Sequence, residues 1–209
     1  MTKQILSIIA GVFMVLTSAC SSESLWKEEV LLSDGKIIVV DRGVVFAPRR
    51  FEPGQPATGV VKYWLSFTNP VSGEMVQWEN PGKLQPMVLG IAGGVPYVAA
   101  IPNSAAGYIE AGCPNPAYFF FKYANGWESI SYQNFPQSIK KRNLLPVYHE
   151  EDLTPVKKGY ISSSEVAAAQ PGAAKHDHEL DQNWRGPQDC VVPRYQGQNQ
   201  SETKGGSIN

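Results

Sequence analysis

The chain has 209 residues, with 18 lysines and arginines against 19 aspartates and glutamates and a formal net charge of −1. That balance excludes the dense positive charge with which proteins bind a phosphate backbone, so we expect no nucleic-acid partner. The length is sufficient for one domain with a core of its own.

The N-terminal residues are predicted to form a signal peptide that spans residues 1–19. Lys3 precedes an uncharged apolar run over residues 5–16, and this run ends at Thr17 and Ser18. It is shorter than the roughly 20 apolar residues that a transmembrane helix needs. A short apolar run of this kind is typical of a segment that directs export and is then removed.

Residues 16–20, Leu-Thr-Ser-Ala-Cys, resemble the lipobox of bacterial lipoproteins, although Thr17 stands where that family usually has leucine. The resemblance implies that acyl chains such as palmitate are attached to Cys20, with residues 20–25 as the lipidated cysteine and its tether. Several acyl chains hold a protein durably, because each buried methylene contributes about 0.8 kcal/mol. Ser21 in place of aspartate implies the outer membrane rather than the inner membrane as the location in the cell envelope. Plain secretion after cleavage at Ala19 is the alternative.

The two remaining cysteines, Cys113 and Cys190, are predicted to form a disulfide. They are an even pair once Cys20 carries lipid, and an exported chain reaches an oxidising compartment. A metal site is the weaker interpretation, because neither cysteine belongs to a CxxC motif. The bond would tie the C-terminal segment back to the domain.

Between residues 26 and 160 the pattern predicts a mainly β domain, an antiparallel meander or sandwich of serial hairpins. Four pairs of β-rich runs are each joined by a turn sequence, of which Asp34-Gly35 and Asn125-Gly126 are the clearest, because these pairs favour the positive φ of tight hairpin turns. The predicted pairs are 26–32 with 36–42, 60–67 with 74–78, 87–92 with 95–101, and 116–123 with 127–131. The last two pairs also resemble one propeller blade, but one blade cannot close a propeller.

The aromatic run over residues 118–121 does not alternate with polar residues. We therefore expect a strand that is covered on both faces, at the centre of the fold. An aromatic platform for a ligand is the alternative.

Residues 161–195 are predicted to form a helical and irregular extension, and residues 196–209 a disordered tail. Ser162 with Glu165 has the spacing of a capping box, so a helix is expected over 162–170, stopped by Pro171. Residues 136–145 are expected to form a turn or a short helix. The tail contains too few apolar residues to fold.

Three motifs contain residue types that are found in functional sites, but none predicts a catalytic, cofactor-binding or metal-binding residue. His176 and His178 lie in a polar segment that is interpreted as a solvated loop. His149 with residues 150–152 is interpreted as an acidic surface turn, since no nucleophile accompanies it. Residues 90–94 lack the Lys-Ser/Thr ending of a phosphate-binding loop.

Residues 26–145 resemble a group of small proteobacterial lipoproteins without an assigned function, through segments that include 26–30, 34–40, 96–98, 113–116 and 121–127. We expect a membrane-anchored envelope lipoprotein that binds or scaffolds a partner without catalysis, held to the membrane through Cys20. An envelope protein is a further candidate partner, and no cofactor is expected. The alternative is a small-molecule or glycan-binding or processing protein with a site that the sequence does not reveal, so an enzymatic activity stays open.

Overall fold

A computed structural model describes residues 21–47, 59–81, 84–114 and 116–170, and in this part of the chain nine strands form two sheets. The strands are β1 (Ser22–Leu31), β2 (Ile37–Phe46), β3 (Val60–Thr68), β4 (Met75–Asn80), β5 (Leu84–Ala92), β6 (Val95–Pro102), β7 (Phe119–Tyr123), β8 (Trp127–Ile130) and β9 (Tyr160–Ile161). Sheet A has the order β4-β3-β2-β1-β9, and sheet B has the order β5-β6-β7-β8. The helices are α1 (Ala105–Glu110) and α2 (Ser163–Ala169), with 3-10 turns at Tyr132–Asn134 and Glu150–Leu153.

The prediction of a mainly β fold built from serial hairpins is confirmed. The four predicted pairs are β1 with β2, β3 with β4, β5 with β6, and β7 with β8, all antiparallel. Gly35 at φ 84° and Asn125 at φ 59° adopt the left-handed conformation that their turn sequences favour. The one departure is β9, which pairs with β1 in parallel because the chain returns to sheet A after a long crossover.

The main core lies between the sheets. Inward positions alternate along the strands of sheet A, so that Tyr63, Leu65 and Phe67 of β3 are buried. They pack in one cluster with side chains of sheet B such as Leu89 and Val98. Because every second side chain of a strand points into this layer, the period-2 pattern determines which residues belong to the core.

A second core lies on the outer face of sheet B. Phe120 of β7 contacts Phe135 with ring centroids 4.8 Å apart, and Ile139 belongs to the same cluster. On the opposite face of β7, Phe121 meets Trp78 edge-on at 6.0 Å. The prediction that the aromatic run is covered on both faces is therefore confirmed.

The C-terminal part of the described chain covers the sandwich. Helix α2 begins after Ser162, whose hydroxyl and the Glu165 carboxylate form the predicted capping box. Residues 136–145 form turns and irregular structure, without a helix. Strand β1 begins at Ser22, within the stretch predicted as a tether, because residues 22–25 already pair with β2.

Candidate functional site

Two regions bring charged side chains together, one sealed inside the sandwich and one open to solvent. The first surrounds an irregular segment, residues 143–148, in which Leu144, Leu145 and Val147 are buried. A buried backbone outside a sheet must find hydrogen-bond partners elsewhere, and here side chains provide them.

Glu28 and Arg42 form the centre of this buried polar cluster, which we define as Trp26, Glu28, Arg42 and Tyr63. One Glu28 carboxylate oxygen accepts from the Leu145 N–H at 2.5 Å, and the other accepts from the Trp26 indole at 2.9 Å and from Arg42 at 3.0 Å. The Arg42 guanidinium lies over the Trp26 ring at 5.2 Å. Tyr63 donates to the Val147 carbonyl oxygen at 2.9 Å.

The buried polar cluster is closed to solvent, since Glu28 is 0% and Arg42 1% exposed. Burial lowers the pKa of Arg42, and the Glu28 charge opposes that shift. Burial likewise raises the pKa of Tyr63. The Glu28 carboxylate and the two Nη atoms of Arg42 bond to neighbouring groups, among them the Leu145 N–H and carbonyl oxygen, so the cluster fixes residues 143–148 in place.

The second region is an open groove of about 520 Å³ where the β1–β2 turn, residues 138–143 and α2 meet. Its lining is mostly apolar, and the polar side chains among its lining residues are those of three serines, Asn143 and three basic residues. The described lining residues are Leu31, Leu32, Ser33, Gly35, Leu89, Ser138, Ile139, Lys140, Lys141, Arg142, Asn143, Ser163, Val166 and Ala167. A volume of this size lies within the roughly 300–1,000 Å³ of small-molecule sites.

Two residues determine where the groove walls lie. Gly90 leaves room for Ile139, because a Cβ at Gly90 would lie 2.4 Å from the Ile139 Cδ1. The Asn143 amide donates to the carbonyl oxygens of Leu31 at 3.0 Å and Leu89 at 2.8 Å, and its oxygen accepts from the Leu89 N–H at 2.9 Å. Asn143 thereby links the edge of sheet B to the end of β1.

The rim of the groove is positively charged. Lys140 and Lys141 are exposed, and no ion pair among the described residues includes either. Arg142 is held in position, since its Nε donates to the Tyr118 hydroxyl at 2.8 Å and its guanidinium lies 5.7 Å from the Tyr118 ring. No carboxylate is among the described lining residues.

Glu29 joins the groove wall to sheet A. Its carboxylate accepts from the Tyr160 hydroxyl and from the Ser163 N–H at 3.0 Å. These bonds, that from Tyr160 first, lower the pKa of Glu29. The start of α2 is therefore attached to β1 beside the groove.

Among the residues predicted as modified or considered as sites, Cys113 and His149 lie in the described part of the chain. Cys20, Cys190, His176 and His178 lie outside the described residues. Cys113 follows α1 with φ 55° and donates its N–H to the Tyr108 carbonyl oxygen at 3.1 Å. It also makes a further interaction. Its pairing with Cys190 stays a prediction.

The motif at His149 and the motif at residues 90–94 lie in turns of the fold. His149 precedes the 3-10 turn Glu150–Leu153, whose Asp152 carboxylate accepts from the His149 N–H at 2.9 Å. Residues 90–94 form the end of β5 and its hairpin turn. In the described ranges no group of three or more His, Cys, Asp or Glu could hold a metal ion. No helix in these ranges has the length and apolar character needed to cross a bilayer.

Sequence reasoning missed both charged regions. A signal for the first was present, since Arg42 stands between Val40 and Val44 in the alternation of β2 and so occupies an inward position. The groove had no such signal, because its lining comes from four separate parts of the chain.

Searches of protein families, curated proteins and solved structures returned no match to this chain.

Proposed function

We propose that the protein is a lipid-anchored envelope protein whose β-sandwich binds another molecule in the groove without transforming it. The observation that carries this proposal is the groove itself, a mostly apolar cleft with a cationic rim. Apolar surface and charge at one site supply affinity and orientation. The described lining residues include no carboxylate or imidazole for acid–base chemistry.

The position of β1 supports the anchor at Cys20. Strand β1 starts at Ser22 and pairs with β2 along its whole length, from Ser22 opposite Phe46 to Leu31 opposite Ile37. Two residues of chain span at most about 7 Å, so an acylated Cys20 would hold this end of the sandwich against the membrane. The groove lies at the other end of β1, roughly 30 Å away along the strand.

Metabolic labelling with a palmitate analogue tests the anchor. We expect label in the wild-type protein and in Cys113→Ser, and none in Cys20→Ser. Unlabelled wild-type protein in a strain that labels its other lipoproteins would refute lipidation.

The wild-type preparation, purified without reducing agent, also tests the predicted disulfide. Peptide mass spectrometry should find Cys113 bonded to Cys190.

A second candidate function, glycan binding, has its own observation on the outer face of sheet A. The half-buried Trp64 indole lies against Gly43, where an added Cβ would come within 2.2 Å of the ring. Trp64 donates to Glu23 at 3.1 Å, and Lys62 pairs with Glu79 at 2.8 Å beside it. An aromatic ring flanked by hydrogen-bonding side chains suits a sugar.

A glycan array separates this candidate from the groove. Binding by wild-type protein that is lost in Trp64→Ala and kept in Lys140→Glu/Lys141→Glu would favour the sheet face. Absence of glycan binding by the wild-type protein would remove the candidate.

A further inference from the structure

We propose that the groove binds an anionic amphiphile, a molecule with one apolar chain and a phosphate or carboxylate head. This inference rests on the proposed function and specifies its ligand. The residues that carry it are the apolar wall and the rim cations, which form no ion pair with another described residue.

The apolar surface extends beyond the groove. Leu31, which lines the groove, is 49% exposed, and its cross-strand neighbour Ile37 is 53% exposed. Val39 on the same face of β2 is 49% exposed. Exposure of apolar side chains to water is unfavourable, and an apolar chain lying across the groove would cover them.

The rim specifies the charge of the head. Lys140 and Lys141 present two ammonium groups at the mouth, and Arg142 adds a third cation held against Tyr118. The nearest carboxylate of the adjoining turn, Asp34, is already paired with Lys36 at 3.0 Å. A phosphate or carboxylate would therefore meet rim donors that no carboxylate of the described lining engages.

The apolar wall and the cationic rim together fit an anionic amphiphile better than they fit an occupant that matches only one of them. A free phosphate would leave the exposed Leu31 side chain uncovered, and an uncharged chain would leave Lys140 and Lys141 without a charged partner in the described part of the chain. The groove lies far from Ser22, and so from the membrane to which Cys20 would be anchored. This distance favours a single amphiphile that has left the bilayer as the occupant, rather than the surface of the bilayer itself.

Photocrosslinking of the processed full-length protein in phosphatidylcholine nanodiscs tests the proposal. One probe is a decyl phosphate with a diazirine at its chain end, and the second carries the same chain on a maltoside head. We expect the phosphate probe to label peptides containing residues 31–33, 138–143 or 163–167. An excess of inorganic phosphate should not abolish that labelling.

Two pairs of variants separate the roles of head and chain. Lys140→Glu/Lys141→Glu should reduce labelling by the phosphate probe about tenfold and leave maltoside labelling unchanged, whereas Lys122→Glu/Lys158→Glu, with the same change in charge, should alter neither. Leu31→Asp should reduce labelling by both probes, and Met75→Asp, at a position that is 65% exposed against 49% for Leu31, should not. All four variants retain groove-forming Gly90 and Asn143.

The outcomes discriminate between the ligand class and the proposed function. If both probes label the groove equally and the lysine substitutions leave that labelling unchanged, the ligand does not need an anionic head. Binding in the groove would still stand. If an excess of inorganic phosphate abolished labelling by the phosphate probe, the proposal that the ligand is an amphiphile would be overturned. Absence of groove labelling by either probe, as expected if residues 171–209 or a second copy fill the groove, would overturn both proposals.

Discussion

The chain places positive charge in two opposite environments. Arg42 is buried, and Glu28, Trp26 and the backbone of residues 143–148 surround it. Lys140 and Lys141 stand at the mouth of an apolar groove, where the described residues offer no carboxylate to pair with them. The two sites are connected, since residues 140–142 lead directly into the segment that the buried polar cluster holds.

The comparison separates charge that serves folding from charge that is available for binding. A buried ion pair costs desolvation energy, and it persists here because an irregular backbone needs its hydrogen bonds. Exposed lysines contribute little to stability. Substitutions in the first region should therefore alter folding, and substitutions in the second should alter ligand binding.

Breaking the buried pair should have the largest effect on stability. Glu28→Gln or Arg42→Met leaves one charge buried without a partner and should lower the free energy of unfolding by about 3–5 kcal/mol. Urea unfolding followed by tryptophan fluorescence measures it. The exposed pair on the same two strands, Lys27 with Asp41 at 2.6 Å, is the matched control, and Lys27→Met should cost at most about 1 kcal/mol. Similar losses for both pairs would contradict the distinction.

Filling the space at Gly90 should connect the two regions. Gly90→Ala forces Ile139 to move, which should cost about 1–3 kcal/mol and displace the rim that follows Ile139. Gly126→Ala is the control, because a Cβ at Gly126 meets no atom within 4 Å. Thermal unfolding gives the stability, and the phosphate photoprobe reports the rim. An unchanged midpoint together with unchanged labelling would show that Gly90 does not position Ile139.

Removing the α2 cap should be a smaller perturbation. Ser162→Ala loses the bond that the Ser162 hydroxyl accepts from the Glu165 N–H and should cost about 1 kcal/mol. Ser131→Ala is a suitable comparison, since Ser131 precedes the Tyr132–Asn134 turn without a side-chain cap. Hydrogen exchange should accelerate in α2 and leave β2 protected. Equal effects of the two substitutions would argue against the capping box.

Acid should loosen the groove wall where Glu29 bonds to the start of α2. The pKa of Glu29 is lowered in the folded protein, so its contribution is present above the unfolded value of about 4.3 and is lost as pH falls through the lower folded value. The midpoint of thermal unfolding should therefore fall less steeply below pH 4 for Glu29→Gln than for wild type. Parallel profiles would show that the bonds from Tyr160 and Ser163 add nothing to stability.

The hairpins could be predicted from sequence because their information is local. Asp34-Gly35 and Asn125-Gly126 specify turns that few other residues accept, and the flanking runs have β propensity. The α2 cap is equally local, since Ser162 and Glu165 lie three residues apart. Helix α1 was missed because its six residues, which include Gly107, carry no strong periodic pattern.

By itself the sequence determined the β class, the strand pairs, the turns and the covered aromatic strand, because each depends on neighbours along the chain. Only the tertiary structure decided that β9 joins β1 in parallel, that Glu28 and Arg42 meet Leu145, and that the groove forms. Glu28 and Leu145 are 117 residues apart, and the Asn143 bond to Leu31 spans 112. Contacts over such distances depend on how the sheets pack, which no local propensity specifies.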